Sequence, residues 1–131
     1  MTDTPELRLH NTLSGVKELF VPLDPADIRV YACGPTVYDR IHVGNARPIV
    51  VFDVLVRLLR HLYPLVTYVR NITDVDDKII NRARERDIGI DQLCADTIAN
   101  FHEDIVALNS LPPDHEPRAT EFIGDMIRMI R

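Results

Sequence analysis

The chain has 131 residues, enough for one domain with a real core but short for a complete α/β enzyme. With 15 Lys and Arg against 20 Asp and Glu, its net charge of −5 makes no bulk electrostatic case for nucleic-acid binding, so a polyanion must be handled locally or elsewhere. Two cysteines, Cys33 and Cys94, make no disulfide framework.

The start, Met1 to Glu6, lacks the basic residues and apolar core of a signal peptide. The longest apolar stretch, Ile49 to Leu62, is interrupted by Asp53, Arg57, Arg60 and His61 and does not read as a membrane span. A soluble, cytoplasmic protein is expected.

Taken in order, Leu7 to Asn11 and Val16 to Val21 are short extended stretches around Ser14-Gly15, a candidate hairpin at the sheet edge. Pro22 and Pro25 break the chain before Ile28 to Ala32, which predicts a strand ending abruptly at Cys33-Gly34-Pro35. From Gly44 to about Tyr63 the pattern is helical, with Pro48 fitting the first turn. Its polar residues fall at Asp53, Arg57 and Arg60-His61, a thin stripe that predicts a helix buried on most sides, with Asp53 and Arg57 paired at i, i+4.

Leu65 to Val69 is the next strand candidate, and strand, helix, strand makes a parallel βαβ unit. That unit puts Cys33-Gly34 and Arg70 to Thr73 on one rim of the sheet. Thr73 followed by Asp76 reads as a capping box, opening a helix with Val75, Ile79 and Ala83 on one face. A further helix is predicted from about Asp91 to Asn109, with Cys94, Ile98, Phe101, Ile105 and Leu108 along its seam. Leu111-Pro112-Pro113-Asp114 reads as a hinge or linker. The last helical pattern, Ala119 to Arg131, stops without a Gly cap, which reads as a chain cut short.

The chemistry gathers between Val30 and Arg47. In an open parallel sheet, ligands sit beyond the carboxyl ends of the strands, near helix N-termini. Cys33 stands at that rim, where a thiolate could bind Zn²⁺ or act as a nucleophile. With no CxxC and no His pair at zinc spacing, spacing alone favours a small buried hydrophobe. His42, Gly44 and Asn45 open the next helix. Gly44 lets a nucleotide approach the backbone, and His42 and Asn45 can donate to phosphate oxygens as charge develops in a transition state. Asp74, Asp76 and Asp77 could suggest Mg²⁺, but helix capping accounts for them more cheaply.

Three linked runs then carry a resemblance: Tyr31 to Asp39, His42 to Arg47, and Tyr68 to Ile80. Together with Ala107-Leu108-Asn109 and Glu116 to Thr120, they resemble the N-terminal part of bacterial cysteinyl-tRNA synthetase, over essentially the whole chain from Leu9. The resemblance implies an α/β, Rossmann-type (HUP-like) parallel sheet with flanking helices, part of a class I synthetase catalytic domain. Residues 1–111 would be its N-terminal half, and 112–131 the start of the family's inserted connective region.

The resemblance further implies a ligase that joins L-cysteine to ATP, used with Mg²⁺, as cysteinyl-adenylate and passes the acyl group to tRNA(Cys). By the same likeness Cys33 is the first ligand of a zinc ion that grips the substrate thiol. Gly34, Pro35, Thr36 and Thr73 line the cysteinyl group. Ile41, His42, Gly44 and Asn45 form the HIGH-like ATP motif, with His42 and Asn45 as its catalytic pair. Asn45 stands where the second His is usual; its amide still donates an N–H, so ATP binding is expected to survive. The family's other zinc ligands, its KMSKS-type loop and its anticodon-reading region lie downstream, so these residues alone are expected to be inactive, and a monomer. Two alternatives are a related ligase joining cysteine to an amino sugar in thiol biosynthesis and a non-catalytic binding module.

Overall fold

The computed structural model describes residues 6–131; the residues before these, read above for a leader, lie outside the description. The chain runs β1 (Arg8–Asn11), β2 (Val16–Leu19), β3 (Ile28–Ala32), α1 (Val43–Leu62), β4 (Val66–Arg70), α2 (Asp77–Glu85), α3 (Ile90–Ala107), a 3₁₀ turn (Ala119–Phe122) and α4 (Ile123–Ile130). No helix among the described residues is long and apolar enough to cross a membrane.

The α/β expectation holds in its central unit. β3 and β4 pair in parallel, Ile28 opposite Val66 through Ala32 opposite Arg70, and α1 is the crossover between them. Alternation sets the faces. Ile28 and Ala32 on β3 are buried, as are Val66, Tyr68 and Arg70 on β4, while Arg29 and Tyr31 are exposed. Val56 and Leu59 of α1 close over the apolar members of that face. A second cluster lies past the strand ends, where Val37 and Ile72 meet Ile49 of α1, Ile79 of α2, and Leu93, Ile98, Phe101 and Ile105 of α3.

Several expectations need correction. The predicted hairpin forms, with Gly15 in the left-handed region (φ 74°), but β1 and β2 make a sheet of their own and do not extend β3–β4. The two prolines that follow offer no N–H with which to continue a ladder. α1 is not buried on most sides: Ile49, Asp53, Val56 and Leu59 face inward, whereas Val50, Val51, Val54 and Leu58 are exposed. The supposed wet stripe therefore includes a buried carboxylate. Asp53 accepts from Arg57 Nε at 2.8 Å, the predicted pair, and also from the Leu111 N–H at 2.8 Å. Pro48 sits in the second turn, where it has no N–H to offer the Gly44 carbonyl. Thr73 does not cap α2. Asp76 does, accepting from the Lys78 N–H at 2.8 Å, and Val75 lies outside the helix and exposed. Leu108 likewise falls just past the end of α3 and is exposed.

The segment around Pro112-Pro113 is pinned rather than free. The Asp114 N–H donates to the Tyr68 carbonyl at 2.8 Å, and the Arg70 and Ile72 N–H groups donate to His115 and Pro117 carbonyls at 3.1 and 2.9 Å. Residues 114–118 thus run parallel beside the second edge of β4, with bridges Val69–His115 and Ile72–Arg118. The Asp114 carboxylate closes the corner, accepting from the Tyr68 N–H at 2.7 Å and from Arg60 at 2.8 Å. Those donors, the Tyr68 N–H first, hold its pKa below the ordinary aspartate value.

Candidate active site at the carboxyl rim

Beyond the carboxyl ends of β3 and β4 the chain folds into a cleft of about 370 Å³, bordered by the Cys33–Thr36 loop and the start of α1. The rim is built on backbone pairing. Thr36 bridges Thr73, the Thr73 N–H donates to the Pro35 carbonyl at 3.0 Å, and the Val37 N–H donates to the Thr73 carbonyl at 3.1 Å. One side chain ties the strand ends together. Asn71 Oδ1 accepts from the Gly34 N–H at 3.0 Å and from the Tyr31 hydroxyl at 2.9 Å, while its Nδ2 donates to Thr73 Oγ1 at 3.2 Å. The loop that follows is held on α2 and α3: Asp39 pairs with Arg82 and Arg86, and Arg40 with Asp104.

Gly34 is required by space. A Cβ there would stand 1.5 Å from the Asn71 carbonyl oxygen, inside any possible contact. Cys33 is exposed at the mouth, not buried as spacing alone favoured. Cys94 takes the ordinary fate instead: it is buried against the Asp74 carbonyl, and burial pushes its thiol pKa up. Of the acidic cluster, Asp76 is the helix cap and Asp74 accepts from the Thr120 N–H and hydroxyl at 3.0 and 2.6 Å.

His42 is the N-cap of α1, its Nδ1 accepting from the Gly44 N–H at 3.1 Å. As an acceptor, Nδ1 carries no proton, so the neutral ring's donor is Nε2. The helix start offers fewer free N–H groups than an uncapped one, because those of Gly44 and Asn45 donate to the His42 ring and carbonyl at 3.1 and 2.9 Å. What this end turns to the cleft is therefore side chains as well as backbone, the His42 ring and the Asn45 amide, both at the cleft wall. A Cβ on Gly44 would stand 2.8 Å from His42 Cε1, so Gly44 leaves room for that ring. His42→Ala is expected to lower stability by about 1 kcal/mol through loss of the cap, and His42→Asn to recover most of it. Thermal unfolding of the two variants checks this; equal losses would remove the cap from the account.

Cys33, Gly34, Pro35, Thr36, His42, Gly44 and Asn45 all border the cleft. Two residues named from the sequence do not. Ile41 is half-buried and packs against the α2–α3 cluster, and the Thr73 hydroxyl is occupied by Asn71. Tyr68, Arg70, Phe52, Tyr38 and Lys78 also border the cleft and were not singled out. Arg70 had a readable signal: carried one residue further, the alternation Val66, Tyr68, Arg70 puts it on the inward face.

Residues 19–131 match the family model of the class I (C) tRNA synthetase catalytic domain. The chain is similar to a cysteine–tRNA ligase of Rhodospirillum rubrum, 60% identical over 124 residues. It is similar also to those of Acidiphilium cryptum, 60% over 125 residues, and Paramagnetospirillum magneticum, 61% over 124. Each match covers 95% of this chain and 27 to 28% of the relative, so the chain spans about a quarter of their length. A match over so much of the chain, joined to a parallel βαβ unit with Cys33 and His42 at one cleft, settles the lineage: the chain belongs to the class I (C) tRNA synthetase catalytic-domain family.

Proposed function

We propose that the chain supplies the adenylate-forming cleft of a cytoplasmic, monomeric cysteine–tRNA ligase, with residues 112–131 leading into an inserted connective region. The observation that carries this reading is the meeting of an exposed thiol, Cys33, with the His42–Asn45 helix start across one cleft. L-Cysteine would lie toward Cys33 and Gly34, and the phosphates of ATP, with Mg²⁺, toward α1. A carboxylate oxygen of cysteine attacks the α-phosphorus and pyrophosphate leaves. His42 Nε2–H and the Asn45 amide donate to the phosphate oxygens as their charge grows. The acyl group then passes to tRNA(Cys).

Zinc fits this chain as far as one donor. Among the described residues no three His, Cys, Asp or Glu side chains gather into a metal centre, and Cys33 presents a single thiol to the cleft. Cys33 would be one ligand and the others would come from outside these residues. A bound zinc ion supplies a soft Lewis acid that prefers a thiolate to a hydroxyl, and so cysteine to serine. Cys33 and the Gly34–Thr36 loop orient that end of the substrate.

The test is a chimera. This chain replaces the matching segment of the Rhodospirillum rubrum relative, and cysteine-dependent exchange between ATP and pyrophosphate is measured. The chimera is expected to exchange, and the 131-residue chain alone is not. A folded chimera without exchange would overturn the reading.

A further inference from the structure

Arg70 carries a charge that the fold does not explain. Its side chain is only 3% exposed, its Nη2 donates to Glu116 Oε1 at 2.9 Å, and its guanidinium lies over the Phe101 ring, 5.1 Å from the centroid. The other Glu116 oxygen lies 2.5 Å from His102 Nε2, on the solvent side. An ion pair this deep is weak evidence of stability, because apolar residues of like volume often serve the fold as well. Arg70 Nε is also buried without a hydrogen-bond partner, and so is the Tyr68 hydroxyl. The guanidinium lies near enough to that hydroxyl to oppose the upward push that burial gives its pKa, yet without hydrogen-bond geometry. Leaving such a group buried and unpaired carries the cost of its lost hydration. Both residues stand in the wall of the candidate cleft.

Their place in that wall is specific. The Arg70 stem runs beside Gly34, its Cγ 3.2 Å from where a Cβ would stand, on the Cys33 side of the cleft. His42 and Asn45 border the same cleft from the start of α1. With the phosphates placed at α1 as proposed above, an oxygen acceptor at the Arg70–Tyr68 wall, beside Gly34, belongs to the amino-acid end of the ligand. It would satisfy two donors that have no partner, Arg70 Nε and the Tyr68 hydroxyl, and share the Arg70 charge with Glu116.

Deepening the reading given under Proposed function, and resting on it, we propose that Arg70 and Tyr68 bind and orient the carboxylate of the amino-acid substrate. They hold one oxygen of its carboxylate and leave the other free to attack, while Glu116 and His102 position Arg70 from behind. No bond forms or breaks at these four residues. They fix the carboxylate's orientation before pyrophosphate is displaced.

The experiment uses the chimera described above, with the variants Tyr68→Phe, Glu116→Gln and the pair Arg70→Met with Glu116→Gln, which leaves no unpaired buried carboxylate. In the paired variant the KM for L-cysteine is expected to rise about 10-fold or more, the scale of one charge-assisted hydrogen bond, with the KM for ATP within about twofold of wild type. Tyr68→Phe and Glu116→Gln, which keep the packing, are expected to raise the same KM by a few-fold.

L-Cysteinol, which lacks the carboxylate, separates recognition from packing. Its inhibition constant is expected to stay unchanged in all three variants, whereas a merely structural role would weaken cysteine and cysteinol together. If the wild-type chimera exchanges while all three variants keep the KM for cysteine, or lose ATP instead, this inference falls and the parent reading stands. If the folded wild-type chimera does not exchange, the reading falls and takes the inference with it. Should the paired variant fail to fold, Tyr68→Phe and Glu116→Gln decide by the same measurements.

Discussion

Gly34→Ala is expected to destroy the cleft and to cost about 3 kcal/mol of stability or more, at the upper end for overpacking. The added methyl would lie 1.5 Å from the Asn71 carbonyl oxygen and 2.7 Å from its carbonyl carbon, both backbone atoms that no rotamer change can move. Relief requires the ends of β3 and β4 to part. Parting them breaks the bond from the Gly34 N–H to Asn71 Oδ1 and strains the Thr36–Thr73 bridge. Chemical denaturation should show a lowered midpoint, and a cysteinyl-adenylate analogue should no longer give a calorimetric signal. A Gly34→Ala protein that unfolds at the wild-type midpoint would show that the strand ends are not packed this closely.

Asp53→Ala is expected to cost about 2–3 kcal/mol, far more than the few tenths assigned to an exposed i, i+4 pair. Asp53 is 8% exposed and spends one oxygen on Arg57 and the other on the Leu111 N–H. Arg57 in turn donates to the Asn109 carbonyl at 2.9 Å. The pair therefore staples α1 to the chain leaving α3, and its removal leaves the Leu111 N–H without an acceptor. Asp53→Asn keeps an oxygen for that N–H and should lose about half as much. Hydrogen exchange at Leu111 should quicken in Asp53→Ala ahead of global unfolding. Unaltered protection there would mean that the staple carries no load.

The contrast between these two residues shows what the sequence disclosed. Gly34 lies in a dense run, strand to thiol to Gly-Pro to helix cap, where each element follows its neighbour within a few positions. Such local order fixes β3, α1 and β4 and brings Cys33 and His42 to one rim. Asp53 depends on a segment 58 residues away. A polar stripe on a helix reads as a wet face unless one knows that another piece of backbone comes to use it. The same holds for Arg70, whose partner Glu116, itself paired with His102, lies 46 residues along the chain. It holds also for residues 114–118, where Pro112-Pro113 reads as a break although the chain resumes pairing beside β4 just after it. Capping at α2 failed for a smaller reason: Thr73, Asp74 and Asp76 all suit an N-cap, and the first and second are drawn off by Asn71 and Thr120.

The two sides of the cleft differ in how far they can give. The strand side is cross-braced by the Asn71 amide and by backbone ladders on both flanks of β4, so it acts as an anvil. The helix side lacks one rung, because Pro48 has no N–H to give the Gly44 carbonyl, and its opening turn hangs on the ring and carbonyl of His42. Of the two walls the opening turn Val43–Arg47 therefore has the fewer ties to the rest of the fold, while Ile49 just beyond it is seated in the core.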